Sequence, residues 1–522
     1  MATRPTVRAA NGLVASGHHL ATAAGLAALR DGGNAADAAV AAAAVCAVVM
    51  PHRTSFGGDV FALVYDARSR DVTAYNGSGA APQAIDRERF GDAFPRQGAI
   101  LATVPGVVAG LADLASEHGR LGLDRALEPA IGYAEDGFPV SDTLAAAIAA
   151  EGERLADDQE AARIFGPRGR WPSAGEMLQQ PDLASSLHAI ATGGAEAFYR
   201  GELAERFAAG VDAAGGAIAP IDLAAHRTDH PEPIAIGYRG LRIFGQPPVS
   251  QGHILLEELA IASGLDLASL EWGGAELVHL MVETKKLAFA DRDAHAGDPA
   301  FVDFDARRLL GAEFVASRRR AVNAKASERS EAGSLMTPAD TTYLAVVDRE
   351  GNAVSLIESV FSVFGAACVV PGTGILLNNR LTGFSLDARS PNALEPRKRP
   401  VHTLNTVIVT DGSAPRFVFG TPGRDAQVQT NFQLAVGLID FGMDVQRAIE
   451  EPRWFHESGR TLRMERRYPE SVRRALAGKG HEIVLLDEWD HVTGGAQAIA
   501  IEPNGAFAGG ADPRREGYAA GY

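Results

Sequence analysis

The stretch PADTTYLAVVDREGNAVSL, Pro338–Leu356, decides the fold. In front of it Asn323 to Asp340, NAKASERSEAGSLMTPAD, is polar, poor in large apolar residues and without period. That composition predicts an exposed, mobile loop over 323–340. Behind it the pattern changes sharply. Thr342 to Val347 predicts a strand, Arg349–Asn352 a turn, and Ala353 to Ile357 a second strand. Two threonines stand at the junction and read in two ways. β-Branched residues suit a strand start. Alternatively the chain is cut before Thr341, and its hydroxyl becomes a nucleophile. A free α-amine, with a pKa of about 7.7–8.0, can take that hydroxyl's proton near neutral pH. Such a residue needs an exposed peptide bond before it and a rigid strand after it, and this junction supplies both.

The rest of the 522-residue chain bounds the setting. The length suits one large domain or two to three modest ones. A net charge of −16, from 49 basic and 65 acidic residues, argues against a nucleic-acid partner and against an anionic membrane surface. The two cysteines, Cys46 and Cys368, sit among small apolar residues and read as buried reduced thiols. The Ala-rich run from Ala38 to Met50 is shorter than the ~18 residues of a membrane span. No secretory signal opens the chain, so a cytoplasmic enzyme is expected.

Around the junction the N-terminal third reads as helices. Gly32–Gly33 stop the first, and Asn34 caps the second. Val60–Tyr65 and Val72–Tyr75 alternate like a hairpin, and Pro105–Gly106 turn into a helix. Asp124 to Phe207 is mostly helical in pattern. YRGLRIFGQPPVSQGHILLEELAIASGL reads as strand, loop and helix, and ELVHLMVETKKLAFADRDAHAG as a long amphipathic helix. TLNTVIVTDG and RFVFGTPG give two further strands, then DAQVQTNFQLAVGLIDFG a helix. Runs of strands and runs of helices predict stacked sheets with helices outside.

With DTTYLAVVDREGNAVSL stand DGGNAADAAVAAAAV, VPGVVAG, PPVSQG, VETKKLAFADRD, GTGILLNNR and FGTPGRDAQVQ, spread over nearly the whole chain. In this order they resemble the γ-glutamyltransferase family of N-terminal-nucleophile hydrolases. The resemblance implies an α+β fold, a four-layer αββα sandwich. It implies self-cleavage into chains 1–340 and 341–522 that stay together in one integrated domain, as a heterodimer or a dimer of heterodimers. Thr341 is then the nucleophile and Thr342 a scaffold residue. Ser359 falls where the family often has a Thr bonded to the catalytic hydroxyl. In GTPGRDA the amides of Gly423 and Arg424, at a helix start, would form the oxyanion hole; the family usually has Gly-Gly there.

The departures bear on substrate. By the resemblance, the Arg that holds a γ-glutamyl carboxylate falls at Ser78 in NGSGAAP, and the ammonium acceptors fall at Phe361, Arg380 and Gly383. A cation beside that ammonium would repel it by ~1 to 4 kcal/mol at ~4 Å. The expected substrate is therefore a small-molecule amide bearing a carboxylate, bound by Arg380 or Arg424. The plainer alternatives are a structural ion pair for Arg380 and, for Arg424, a local pair with Asp425 or simple exposure. His402 and Thr403, in KRPVHTLNT, match a Ser pair near the family's substrate carboxylate; His402 donates to substrate or is a packed strand histidine. The pattern is closer to the branch with oxamate amidohydrolase and glutaryl-cephalosporin acylase-like proteins. The alternatives are a γ-glutamyltransferase or glutathione hydrolase proper, and an uncleaved binding protein on the same fold. His18–His19 and His279 lack zinc-ligand spacing and no GxxxxGK[ST] occurs, so neither metal nor organic cofactor is expected.

Overall fold

In the computed structural model, which describes residues 3–328 and 341–522, Thr342–Asp348 and Ala353–Ser359 form the predicted hairpin. The Asp348 carboxylate fixes its turn, accepting from Glu350 N and Asn352 N at 2.9 and 3.0 Å. The hairpin lies at the middle of a six-stranded antiparallel sheet. Its order is Tyr518–Gly521, Gly12–Ser16, Thr342–Asp348, Ala353–Ser359, Asp59–Tyr65, Val72–Gly77. Both hairpin strands are buried on both faces, and their alternation assigns each face a partner. Tyr343, Ala345, Val347, Ala353 and Ile357 face the second sheet, while Leu344, Val346, Val354 and Leu356 face helices.

The second sheet has seven strands, in the order Val7–Ala9, Phe507–Ala511, Gln497–Ile501, Ala414–Gly420, Val407–Asp411, Leu241–Gly245, Ile234–Tyr238. Ile408, Val418, Ile499 and Phe507 turn inward from it to meet the first sheet. Polar contacts also join the layers: Ser355 Oγ accepts from Val407 N at 3.1 Å and lies 2.7 Å from the Tyr343 hydroxyl, and Gln246 Nε2 donates to Ala62 O at 2.6 Å. Gly420 is required there, because a Cβ on it would stand 2.3 Å from the Tyr343 ring.

Helices complete four layers. His19–Arg30, Ala35–Val49, Leu123–Asp136 and Pro181–Tyr199 pack over the six-stranded sheet. Gly252–Ala262, Ala275–His295 and Ala426–Ile439 pack over the seven-stranded one. The protein is an α+β sandwich of αββα layering. Every residue of the Ala-rich helix Ala35–Val49 is buried, so that run is core. Asn34 caps it, accepting from Ala36 N and Asp37 N, and Asp37 closes the capping box. The Ala275–His295 helix is not amphipathic as its sequence suggests: Glu283, Lys285 and Lys286 are buried. No helix among the described residues is long and apolar enough to cross a membrane.

The predicted loop 323–340 falls largely on 329–340, outside the described residues. Its described start is tied down through its backbone. Asn323 O lies 2.8 Å from His279 Nε2, Ser327 N donates to Glu283, and Ser327 O accepts from Lys286 Nζ at 3.0 Å.

Candidate active site

Three neighbouring strands of the six-stranded sheet end at one edge, and each ends in a polar residue. Thr341 precedes Thr342–Asp348, Ser359 closes Ala353–Ser359, and Asp59 opens Asp59–Tyr65 directly opposite Ser359. Alternation puts Thr341 and Ser359 on the face toward the second sheet. Ser359 Oγ accepts from Thr341 Oγ1 at 3.0 Å and from Phe361 N at 2.8 Å. Thr342 points the other way, toward Cys46 and Glu358, so the two threonines have different surroundings. Glu358 is fully buried and faces Thr54; burial pushes its carboxyl well above the ordinary range.

Phe361 follows at φ +82°, a region a bulky residue rarely occupies. The guanidinium carbons of Arg380 and Arg424 lie over its ring, 4.3 and 4.5 Å from the centroid. Arg380 is wholly buried, and its Nε donates to Asp59 Oδ2 at 3.1 Å. Asp59 Oδ1 accepts from Gly79 N at 2.9 Å. Burial lowers the Arg380 pKa to about 10, with Asp59 acting against it, while burial raises that of Asp59 against the pull of Arg380. Neither Nη atom of Arg380 has a hydrogen-bond partner among the described residues, nor has either ring nitrogen of His402. His402 is fully buried and lies 5.0 Å from the Phe61 ring, centroid to centroid. Burial, then Arg380 and Arg399, hold it neutral.

Gly423 and Arg424 stand at φ +132° and +52° ahead of the helix Ala426–Ile439. Their carbonyls accept from Ala426 N and Gln427 N within its first turn, both at 2.9 Å, and the amides at such a start lie outside the helical ladder. A left-handed non-glycine residue costs of order 1–2 kcal/mol, which Arg424 sustains. Asp425 is engaged by Arg292 at 2.7 Å.

Phe361, Gly383, Thr403 and Arg424 line one cavity of about 690 Å³, with Arg96, Arg292, Asp293, Asn379 and Asn392 around them. Thr341, Ser359, Arg380 and His402 do not line it; Ser359 meets it through the Phe361 amide and Arg380 through the Phe361 ring. A Cβ on Gly383 would stand 3.7 Å from Arg380 Cδ, so the arginine stem runs beneath that glycine. Ser78 is away from the cavity too. It is buried, its hydroxyl donates to Asn76 Oδ1 at 2.5 Å, and its carbonyl accepts from Arg399. Asp59 carried no signal in sequence, since one acid at a strand start has no pattern.

His279, Glu283 and His481 form a group with ligand atoms within 4.8 Å of one another, which spacing in sequence concealed. The Lys286 ammonium already lies 2.8 Å from Glu283, and the two imidazoles bond each other at 2.9 Å, so the charge a cation would supply is present.

The family model for gamma-glutamyltranspeptidase matches residues 21–522. The chain belongs to this family. It is 40% identical over 519 residues to the glutathione hydrolase-like YwrD proenzyme of Bacillus subtilis, covering 98% of both chains. It is 37% identical over 525 residues to the oxamate amidohydrolase proenzyme of Klebsiella pneumoniae subsp. pneumoniae, again covering 98% of both. The crystal structure of cephalosporin acylase from Bacillus halodurans superposes with a TM-score of 0.94 at 37% identity, over 100% of this chain and 98% of that one. Within the family the chain stands with the amidohydrolase and acylase branch, and it is an enzyme of the N-terminal-nucleophile hydrolase type.

Proposed function

We propose that the protein cuts itself before Thr341 and then hydrolyses an amide of a small or acidic acyl group through an acyl-enzyme on Thr341. The observation that carries this reading is the 3.0 Å bond from Thr341 Oγ1 to Ser359, beside a wall on which two arginines meet one phenylalanine ring. Maturation releases chains 1–340 and 341–522, which remain together because each contributes strands to both sheets. In turnover the free amine of Thr341 takes the hydroxyl proton while Oγ1 attacks the substrate carbonyl. The amides of Gly423 and Arg424 hold the oxyanion. The leaving amine takes the proton, and water then attacks the ester to free the acid and restore Thr341.

Arg424 is the better placed of the two arginines to meet a substrate carboxylate, because it lines the cavity while Arg380 lies behind it. The relatives include an oxamate amidohydrolase and a cephalosporin acylase beside a glutathione hydrolase-like protein, so the preference over γ-glutamyl substrates rests on Arg424 and not on their names. A denaturing gel with N-terminal sequencing tests the nucleophile. Two fragments are expected, the smaller beginning at Thr341, and Thr341→Ala should stay intact and inactive. An intact wild-type chain, or a cut elsewhere, refutes the assignment. Turnover of γ-glutamyl anilide in preference to acidic acyl anilides refutes the substrate class.

A further inference from the structure

We infer that Phe361 is the specificity-determining residue of this site, because its ring stands between the cavity it lines and the buried Arg380 guanidinium, which with His402 would hold a carboxylate. The inference rests on the reading of Thr341 and the cavity given above. Phe361 both lines the cavity and touches Arg380, whose guanidinium carbon lies 4.3 Å from its ring centroid. Behind it, Arg380 spends one nitrogen on Asp59 and keeps both Nη atoms without a hydrogen-bond partner among the described residues. That pair of nitrogens is the fork that binds a carboxylate with two parallel bonds. His402, fully buried and with both ring nitrogens likewise unpartnered, supplies a neutral donor nearby. Buried polar groups are ordinarily hydrogen-bonded, so two such residues together mark a place fitted to a ligand.

The backbone adds an independent argument. At φ +82° glycine is the favoured residue, and the site keeps a phenylalanine. The amide of Phe361 is fixed by Ser359, the partner of Thr341, so the ring stands at a set distance from the nucleophile. A short acyl group places its carboxylate in front of the ring, at Arg424. A longer one needs the space that the ring fills, and its carboxylate would then reach the Arg380 fork. Phe361 therefore sets the upper length of the acid.

The test uses p-nitroanilides of the series malonyl, succinyl, glutaryl and adipoyl, with acetyl as the neutral control. Phe361→Gly removes the ring, suits the backbone angle and keeps the amide that Ser359 holds. It should shift the ratio of kcat/KM for the longer over the shorter acids by at least tenfold, a ratio read within each variant and so independent of any loss common to the whole series. Adding Arg380→Lys should cancel that gain, since a lysine loses the two-nitrogen fork but keeps a charge for Asp59. Phe361→Leu, which still fills the space, should keep the wild-type preference. An unchanged length preference in Phe361→Gly overturns the inference, as does a gain that survives Arg380→Lys. If Phe361→Gly does not mature, Phe361→Ala is read in the same way, and binding of free adipate against succinate to the uncleaved chain by calorimetry replaces turnover; equal affinity ratios in wild type and variant overturn it. Wild-type enzyme that cleaves none of the acidic series but does cleave γ-glutamyl anilide instead refutes the underlying substrate reading.

Discussion

Replacing Ser359 by alanine removes one oxygen on which two donors converge. Thr341 Oγ1 reaches it at 3.0 Å and Phe361 N at 2.8 Å. An ordinary hydrogen bond contributes about 0.5–1.5 kcal/mol, and a buried donor left without a partner costs about 1–3 kcal/mol. The first figure bears on the nucleophile. Losing the bond that orients Thr341 Oγ1 should slow both self-cleavage and acyl transfer by roughly tenfold, at about 1.4 kcal/mol per decade of rate. The second bears on stability, because the Phe361 amide is the group orphaned. The assay follows the appearance of the fragment beginning at Thr341 in freshly made precursor, then kcat and KM of matured enzyme counted per cleaved chain. A fall in kcat with KM nearly constant is expected, together with a lowered Tm. Ser359→Thr, which returns a hydroxyl to the same place, should restore the rates. If Ser359→Ala cleaves and turns over within twofold of wild type while Tm falls, Ser359 supports only the loop at Phe361, and its role toward Thr341 is refuted.

Three other outcomes follow from the same geometry. Burial raises the Glu358 carboxyl, so between its unfolded value of about 4.3 and its folded value the native state holds a proton that the unfolded chain releases. Stability must then fall as pH rises through that window, by about 1.4 kcal/mol per unit, and Glu358→Gln should raise Tm at pH 8 but not at pH 4; an equal change at both pH values contradicts this. Asp59→Asn strands the Arg380 charge in the interior and should cost about 3–5 kcal/mol in urea denaturation, much of it recovered in Asp59→Asn/Arg380→Met; a single variant as stable as wild type would remove the pair from the account. Arg424→Ala should lower kcat/KM for an acidic acyl anilide by about 10- to 100-fold, the worth of a hydrogen bond to a charged group, and leave its neutral acetyl analogue much less affected; equal losses would show a role in backbone geometry alone.

The hairpin at 342–359 was legible because two runs of strand-forming residues flank a Gly-Asn turn, and Asn34 was legible because capping needs only local chemistry. Shorter strands escaped: Gly12–Ser16 and Phe507–Ala511 are built largely from glycine, alanine and serine, and only their ladder partners make them strands. The site divides in the same way. Thr341 and Ser359 both come from the hairpin, and its register alone brings them to one edge. Phe361, Gly383, Thr403 and Arg424 converge on one cavity, whereas Ser78 is turned to Asn76 and lines no part of it.

Arg380 shows what a sequence cannot carry. Its counter-ion is Asp59, 321 residues away, brought to it by the pairing of Ser359 with Asp59 across two strands. The nearest acid in sequence to the other arginine, Asp425, is shared, since Arg292 from a separate helix bonds it at 2.7 Å. Local sequence would therefore assign the charges differently from the fold. The fold sets two guanidinium groups against one aromatic ring and spends Asp59 on a single nitrogen of one of them. Burial disfavours both cations, most strongly Arg380, and Asp59 on Arg380 and Asp425 on Arg424 act against it. If the substrate bears the proposed carboxylate, its arrival adds to the pull that Asp59 and Asp425 already exert, and binding at Arg424 tightens with it.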